Sequence, residues 1–385
     1  MKKYLNAALA GLCLVSSAPG QTKEARVTVA GGAAAGRRSE TVEVRLRDLA
    51  QFTDDETGGR FIVRARGSHE EIRSQVTQEE LLFQSDFLPG RTKEFTVRRT
   101  HEQEPPTGSR VAGMFALPRE DYAWENDRIA FRMYGPALRS EVNNGIDVWT
   151  KRVRSLIVAK WYREAEGSPA GKDPYHQDRG EGADFFDVGR SLGAGGCALW
   201  YEGKVRQPGV FSRWKTIAVG PVRTAFELTY PGVTLGGMTF TERVTISLDA
   251  GRNLNKIQVT FDAAEPGRRV LVACGLVKRA GTFLSSDSAQ GWMGLWGPTN
   301  RDSVNGSLGT GVVTGPSAFV QFAEDPAQYL LIVGAVTGEP FTYYAGAGWT
   351  RSGDFAVRED WNSYLKEEAA AINSPLRVTC GPGGD

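Results

Sequence analysis

Residues 214–277 read WKTIAVGPVRTAFELTYPGVTLGGMTFTERVTISLDAGRNLNKIQVTFDAAEPGRRVLVACGLV. Five strand-like runs stand out in them: Trp214 to Val219, Arg223 to Tyr230, Met238 to Leu248, Asn255 to Phe261 and Arg269 to Val277. Turn signals separate the runs at intervals of roughly 8–12 residues, the spacing of an antiparallel sandwich rather than of strands alternating with helices. This stretch makes the chain mainly β. Downstream, Val312 to Val313 with Ala318 to Phe322, and then Tyr329 to Val336, continue the pattern. Only Trp361 to Ile372, with Glu367, Glu368 and an alanine run, has helical character. So many strands call for two or more large sheets packed face to face.

Upstream, Ile129, Phe131 and Met133 alternate with Arg128, Ala130 and Arg132, which is again a strand. Gly145 to Arg152 sets Trp149 beside Lys151 and Arg152. Between Arg26 and Thr100 the runs are shorter: Arg26 to Val29, Thr41 to Arg45, Arg60 to Arg64 and Glu94 to Arg98. Several alternate apolar with charged residues, the half-buried antiparallel signature. An amphipathic piece around Glu70 to Phe83 is the exception to this strand pattern. His101 to Gly108 is rich in Pro, Gly and polar residues and reads as a linker. The expected organisation is therefore a small N-terminal β-sandwich over 21–105 and a large antiparallel β-sandwich over 106–385.

Residues 1–20 read as an export signal. Lys2 and Lys3 form a positive head, Leu5 to Val15 is mostly apolar, and Ala18-Pro19-Gly20 offers small side chains for cleavage. The apolar run is too short to span a bilayer, and Leu12 before Cys13 does not suit a lipobox. Losing Lys2 and Lys3 takes the formal charge from +1 to about −1. That removes the electrostatic case for nucleic acid or a membrane surface as partner. Cys197, Cys274 and Cys380 remain, too few and too scattered for a disulfide framework, though one bridge is open to them in an oxidising compartment. There is no CxxC pair to suggest a zinc site.

The chemistry concentrates in Tyr175 to Trp200, YHQDRGEGADFFDVGRSLGAGGCALW. His176, Asp178, Asp184 and Asp187 supply acid/base groups, and Arg190 follows. Glycines at 180, 182 and 189 exclude a helix interior, so the segment is a long shaped loop handing over to a strand at Cys197 to Tyr201. Its aromatics argue against disorder. Asp184 and Asp187 also admit a calcium-organising reading, without the order of an EF-hand; no cofactor is required by the pattern. A second constellation, Phe341 to Phe355, carries Tyr343, Tyr344, Trp349, Arg351 and Asp354 around Gly346 and Gly348. No GxSxG elbow and no phosphate loop is present.

Four segments, WENDRIAFRMYGPAL (124–138), GIDVWTKRV (145–153), YHQDRGEGADFFDVGRSLGAGG (175–196) and YYAGAGWTRSGDF (343–355), together resemble the secreted bacterial family filed as domain of unknown function 4861. The resemblance covers most of the chain after residue 20. It implies a galactose-mutarotase-like β-supersandwich and a setting beside pectin- and ulvan-degrading enzymes, and it carries no catalytic assignment. The residues agree in kind. Carboxylates, His176 and Tyr343 suit acid/base work. Trp149, Tyr344 and Trp349, with Trp200 and Trp214, are candidate stacking faces. Arg128, Lys151, Arg152, Arg190 and Arg351 suit the carboxylate of a uronate. The functional expectation is an exported enzyme on acidic oligosaccharides, lyase or hydrolase. A non-catalytic glycan-binding protein and a sugar epimerase or mutarotase are the alternatives. Sequence leaves the oligomeric state open.

Overall fold

The computed structural model describes residues 23–32, 36–53, 59–102, 108–168, 172–299 and 303–383. The expected export signal, Cys13 and the middle of the expected linker lie outside the described residues. The fold is mainly β, built of antiparallel sheets.

The N-terminal part is a small sandwich. One sheet orders the strands Arg377–Pro382, Glu24–Ala30, Thr92–Thr100, Arg60–Ala65 and Glu71–Ile72; the other orders Arg37–Arg45, Glu80–Phe87 and Ser74–Val76. Val27, Val42, Val44, Phe61, Phe83, Phe95 and Val97 fill the space between them. The alternation of Val27 and Val29 with Arg26 and Thr28 sets which face of the first strand turns inward. Its outer neighbour comes from the far end of the chain, with Val27 opposite Cys380. A boundary drawn at residue 105 therefore leaves this closing strand on the wrong side. The amphipathic piece around Glu70 to Phe83 is not an exception to the strand pattern: it forms three short strands. Pairing with Arg37–Arg45 buries Leu81, Leu82 and Phe83, and that gain overrides local helix propensity. Gln75 keys the small sandwich onto the rest. Its Oε1 accepts from Val222 N at 3.0 Å and Arg223 N at 2.7 Å, while Nε2 donates to Arg223 O at 3.0 Å.

The larger part is a supersandwich. One layer joins two five-stranded sheets. The first orders Gly182–Asp184, Ile146–Lys151, Ile129–Met133, Asp121–Asn126 and Val111–Ala116; the second is centred on Ala194–Tyr201, Arg269–Val277 and Gln328–Val336. A bridge between Ile146 and Gly193 connects them. The facing layer is a nine-stranded sheet that includes all but the last run of residues 214–277. Phe131, Val148, Leu199 and Val272 from the first layer meet Phe226, Val244, Val259 and Ala345 from the second in one core. The helix Arg358–Asn373 packs Trp361, Leu365 and Ala369 on the outer face of the nine-stranded sheet. Asp360 Oδ2 starts it by accepting from Ala356 N at 2.8 Å and Val357 N at 3.1 Å. A second helix, Val158–Glu164, was not apparent in sequence. No helix among the described residues is long and apolar enough to cross a membrane.

One inward position breaks the apolar alternation. In Met238–Asp249, Phe240, Val244, Ile246 and Leu248 face the core, and Glu242 stands on the same face. Cys197 Sγ donates to its Oε1 at 3.4 Å, and burial pushes the Glu242 carboxyl up to about 8. The native state therefore holds a proton that the unfolded chain releases above its ordinary 4.5. The associated stability is full below that value and is lost as pH rises toward about 8. Stability is expected to fall by on the order of 1 kcal/mol per pH unit across that window. Glu242→Gln should flatten the slope in urea titrations; an unchanged slope would remove Glu242 as its origin. Cys197 and Cys274 oppose each other on neighbouring strands, and with Cys380 they are free thiols.

Candidate functional site

The sheet from Val111–Ala116 to Gly182–Asp184 has one face in the main core and the other under the helix Val158–Glu164 and the segment after it. Strand alternation puts Tyr122, Trp124, Phe131 and Val148 on the core side. The opposite positions carry Asp121, Glu125, Arg132, Asp147, Trp149, Lys151 and Asp184, all buried. This covered face holds two ionic groups. In one, Lys151 Nζ donates to Glu125 Oε2 at 2.5 Å and Asn126 O at 2.6 Å. Glu125 also accepts from the backbone N–H groups of Ile157 at 2.8 Å and Val158 at 2.7 Å, where the helix begins.

The second group centres on Arg132. Its Nη2 donates to Asp147 Oδ2 at 2.6 Å and to Asp184 Oδ2 at 3.2 Å, and it lies 3.1 Å from the Tyr134 hydroxyl. Asp121 is 3.7 Å from Nη1 and accepts from the Tyr162 hydroxyl at 3.0 Å. Tyr134 donates to Asp147 at 3.0 Å. One guanidinium thus faces three carboxylates. Burial raises all three, against the pull of Arg132: Asp121 to about 6, Asp147 above its ordinary range and Asp184 well above it. The negative charge of Asp147 adds to the rise at Asp184. Such displaced acids in one cluster are a mark of functional sites.

His176 closes the cluster on its solvent side. Its Nδ1 is 3.6 Å from Asp184 Oδ2 and its Nε2 is 3.8 Å from Asp173 Oδ2. Asp173 is held by Arg119 and by the Tyr175 hydroxyl at 3.0 Å. The His176 side chain is 20% exposed, against 5% for Asp184 and 0% for Asp147; Tyr134 is half-buried. His176 is the more open of the two, since the Tyr134 hydroxyl is held by Arg132 and Asp147. Gly182 permits the close strand entry behind them: its φ is +119°, and a Cβ there would lie 2.0 Å from Thr150 O.

Beside the cluster runs a strip of four half-exposed arginines over two carboxylates. Asp178 Oδ2 lies 3.1 Å from Arg152 and 3.5 Å from Arg351; Asp354 pairs with Arg154 at 2.9 Å and with Arg128. Two positive charges are left over. Arg128 and Asp354 also line an open cleft of about 990 Å³, together with Arg38, Asp86, Lys93 and Phe355. None of the Arg132 cluster lines that cleft.

The remaining expected site residues fall elsewhere. Trp149 and Trp349 are fully buried, so neither offers a face to a sugar. Trp149 packs instead among Arg132, Trp161, Tyr162 and Tyr175. Lys151 is taken by Glu125. Tyr343 is in the core, donating to Gly195 O at 2.8 Å, and is no surface acid. Tyr344, on the other face of its strand, lines a separate cleft of about 310 Å³ with Glu43, Arg223 and Lys256. Asp178 is an anchor rather than an acid/base, since its Oδ1 also accepts from Gly180 N at 2.9 Å and Gly182 N at 3.2 Å. Asp187 is exposed while Asp184 is buried. No group of three or more His, Cys, Asp or Glu is placed to hold a metal among the described residues. Arg190 is exposed and donates to Ser140 O at 3.0 Å, away from the strip. Trp200 is half-buried; Trp214 is 45% exposed and stacks on Phe115.

Sequence reasoning missed Asp121, Arg132, Tyr134, Asp147 and Asp173. Alternation in sequence did not separate Asp121, Arg132 and Asp147 from solvent-facing charges; the structure shows their strands buried on both faces.

The profile of the family described as "Domain of unknown function (DUF4861)" matches residues 29–378. The chain belongs to the DUF4861 family. A relative named "Uncharacterized protein P7", from Formosa agariphila, is 30% identical over 398 residues, covering 96% of this chain and 97% of its own. Among solved structures, an alpha-mannosidase from Enterococcus faecalis V583 superposes with a TM-score of 0.50 at 10% identity, over 93% of this chain. The DUF4861 protein spans about half of that enzyme, 46% of its length. At this identity the likeness is one of fold, and it covers both the small sandwich and the supersandwich of the DUF4861 chain.

Proposed function

We propose that this DUF4861 protein is an exported carbohydrate-active enzyme that cleaves acidic, uronate-containing oligosaccharides by elimination. The observation that carries the reading is the exposure pattern of the Arg132 cluster: a histidine reaches solvent beside a half-buried tyrosine, while the carboxylates behind them are buried. A hydrolase needs two carboxylates flanking the scissile bond, and Asp147 and Asp184 are not open to one. Elimination needs a base, an acid and a cation for the uronate. In this reading Arg152 and Arg351 pair with the sugar carboxylate, which acidifies the adjacent C–H. His176 takes that proton, a carbon–carbon double bond forms, and the glycosidic oxygen leaves with a proton from Tyr134. Asp184 and Asp173 hold the imidazole in place. The resemblance in fold to an alpha-mannosidase supports a carbohydrate substrate without naming it.

The separation of the 990 Å³ cleft from the His176 cluster favours a second reading, a non-catalytic glycan-binding protein. One assay separates the two. Protein is incubated with oligosaccharides from pectin and from ulvan, and absorbance near ~235 nm is followed together with product mass. Elimination is expected to raise the absorbance with no water added to the products. A gain of one water per cleavage would replace elimination by hydrolysis. Binding with neither change would favour the glycan-binding protein.

A further inference from the structure

Arg279 is buried, 7% exposed, and has no acidic partner among the described residues. Its Nη2 donates to Leu308 O at 2.7 Å and its guanidinium lies 5.6 Å from the centre of the Phe186 ring. Nε and Nη1 meet no acceptor among the described residues. The other buried arginines differ: Arg132 faces three carboxylates and Arg37 pairs with Glu40, and the half-buried Arg223 and Arg252 face two each. Burial alone acts on Arg279, lowering it to about 10, so it stays protonated at neutral pH. Its backbone is pinned as well, since Thr282 Oγ1 donates to Arg279 O at 2.7 Å and Thr282 N to the same oxygen at 3.3 Å. A fixed, desolvated guanidinium with two idle donors is unfavourable unless an anion compensates it.

Its position relative to the arginine strip says which anion. Arg351, in the strip, donates to Val304 O, Trp349 Nε1 donates to Asn305 O at 2.7 Å, and Arg279 holds Leu308 O. The two arginines therefore grip the same short segment. The backbone points they hold are at most about 14 Å apart by chain length, within reach of an oligosaccharide a few sugars long. We propose that Arg279 is a second anion-binding position, which takes a carboxylate or sulfate group of an acidic glycan, one or more sugars along from the residue held at Arg152 and Arg351. The proposal rests on the acidic-glycan reading above.

The test compares wild type with Arg279→Met, using sulfate and trigalacturonate as probes and galactose at matched ionic strength as control, by calorimetric titration and thermal denaturation. Without ligand, Arg279→Met is expected to be at least as stable as wild type, because an apolar side chain replaces an uncompensated buried charge. Its affinity for trigalacturonate should fall roughly tenfold or more, and the stabilisation that sulfate confers on wild type should vanish. Wild-type affinity and sulfate response in Arg279→Met would overturn the proposal, as would a wild type that responds to neither anion beyond the galactose control. A sulfate response that depends on Arg279, in a protein that neither binds nor cleaves acidic oligosaccharides, would keep the anion position and sink the glycan reading. Should Arg279→Met fail to fold, Arg279→Lys carries the comparison. It keeps the charge but not the fork, and undiminished binding of both anions by it would count against the proposal.

Discussion

His176→Ala is expected to lower the turnover of an acidic oligosaccharide by roughly two to four orders of magnitude, the usual worth of a positioned acid/base group. Binding should stay within a few-fold of wild type, because the proposed uronate position draws on Arg152 and Arg351, which flank Asp178, rather than on the imidazole. The fold should tolerate the change. The side chain is partly exposed, Asp184 retains Arg132, and Asp173 retains Arg119 and Tyr175. A loss confined to kcat therefore separates chemistry from binding. Full activity in a folded His176→Ala protein would move the base elsewhere, and Tyr134→Phe would be the next comparison. A loss of binding equal to the loss of turnover would mean that His176 shapes the surface rather than reacts.

Arg132→Met is expected to destabilise the protein by about 3–5 kcal/mol at neutral pH, the cost of removing one partner from a buried ionic group. Arg132 lies against Asp147 at 2.6 Å, Asp184 at 3.2 Å and Asp121 at 3.7 Å, so its loss leaves three buried acids facing one another. The penalty should depend on pH, with a definite sign. The folded-state values of these acids are already raised by burial, Asp121 to about 6, and removing the cation raises them further. Such groups favour the native state most when both states are protonated and lose that contribution as pH rises through the folded values. The difference from wild type should therefore shrink toward pH 5 and widen toward pH 8. Urea denaturation at the two pH values measures it; a penalty that is equal at both would assign the loss to packing against Trp149, not to charge.

Much of the fold was legible because strand periodicity is local. Phe240, Val244, Ile246 and Leu248 announce a buried face whichever strands end up beside them, and Trp361, Leu365 and Ala369 do the same for the one long helix. The amphipathic piece at Glu70 to Phe83 misled for the converse reason. Its pattern suits either state locally, and the decision belonged to its sheet partner at Arg37–Arg45.

The candidate site was legible in part. The crowding of His176, Asp178 and Asp184 into a glycine-broken loop pointed to the right loop, and Asp184 and His176 do meet there. The partners were not legible. Arg132 and Asp184 are 52 residues apart and touch because Ile146–Lys151 lies between their strands, a pairing that no local pattern states. Burial of the tryptophans and of Lys151 was equally hidden, since a strand shows its alternation but not which layer covers its second face. By itself the sequence determined the element type, the inward face of most strands and the loop where polar groups gather, all properties of neighbouring residues. Only the tertiary structure decided that the final strand closes the first sheet, that one arginine serves three acids, and that Arg279 is buried without an acidic partner among the described residues. Each of these depends on which distant segments come together, and on the water they exclude when they do.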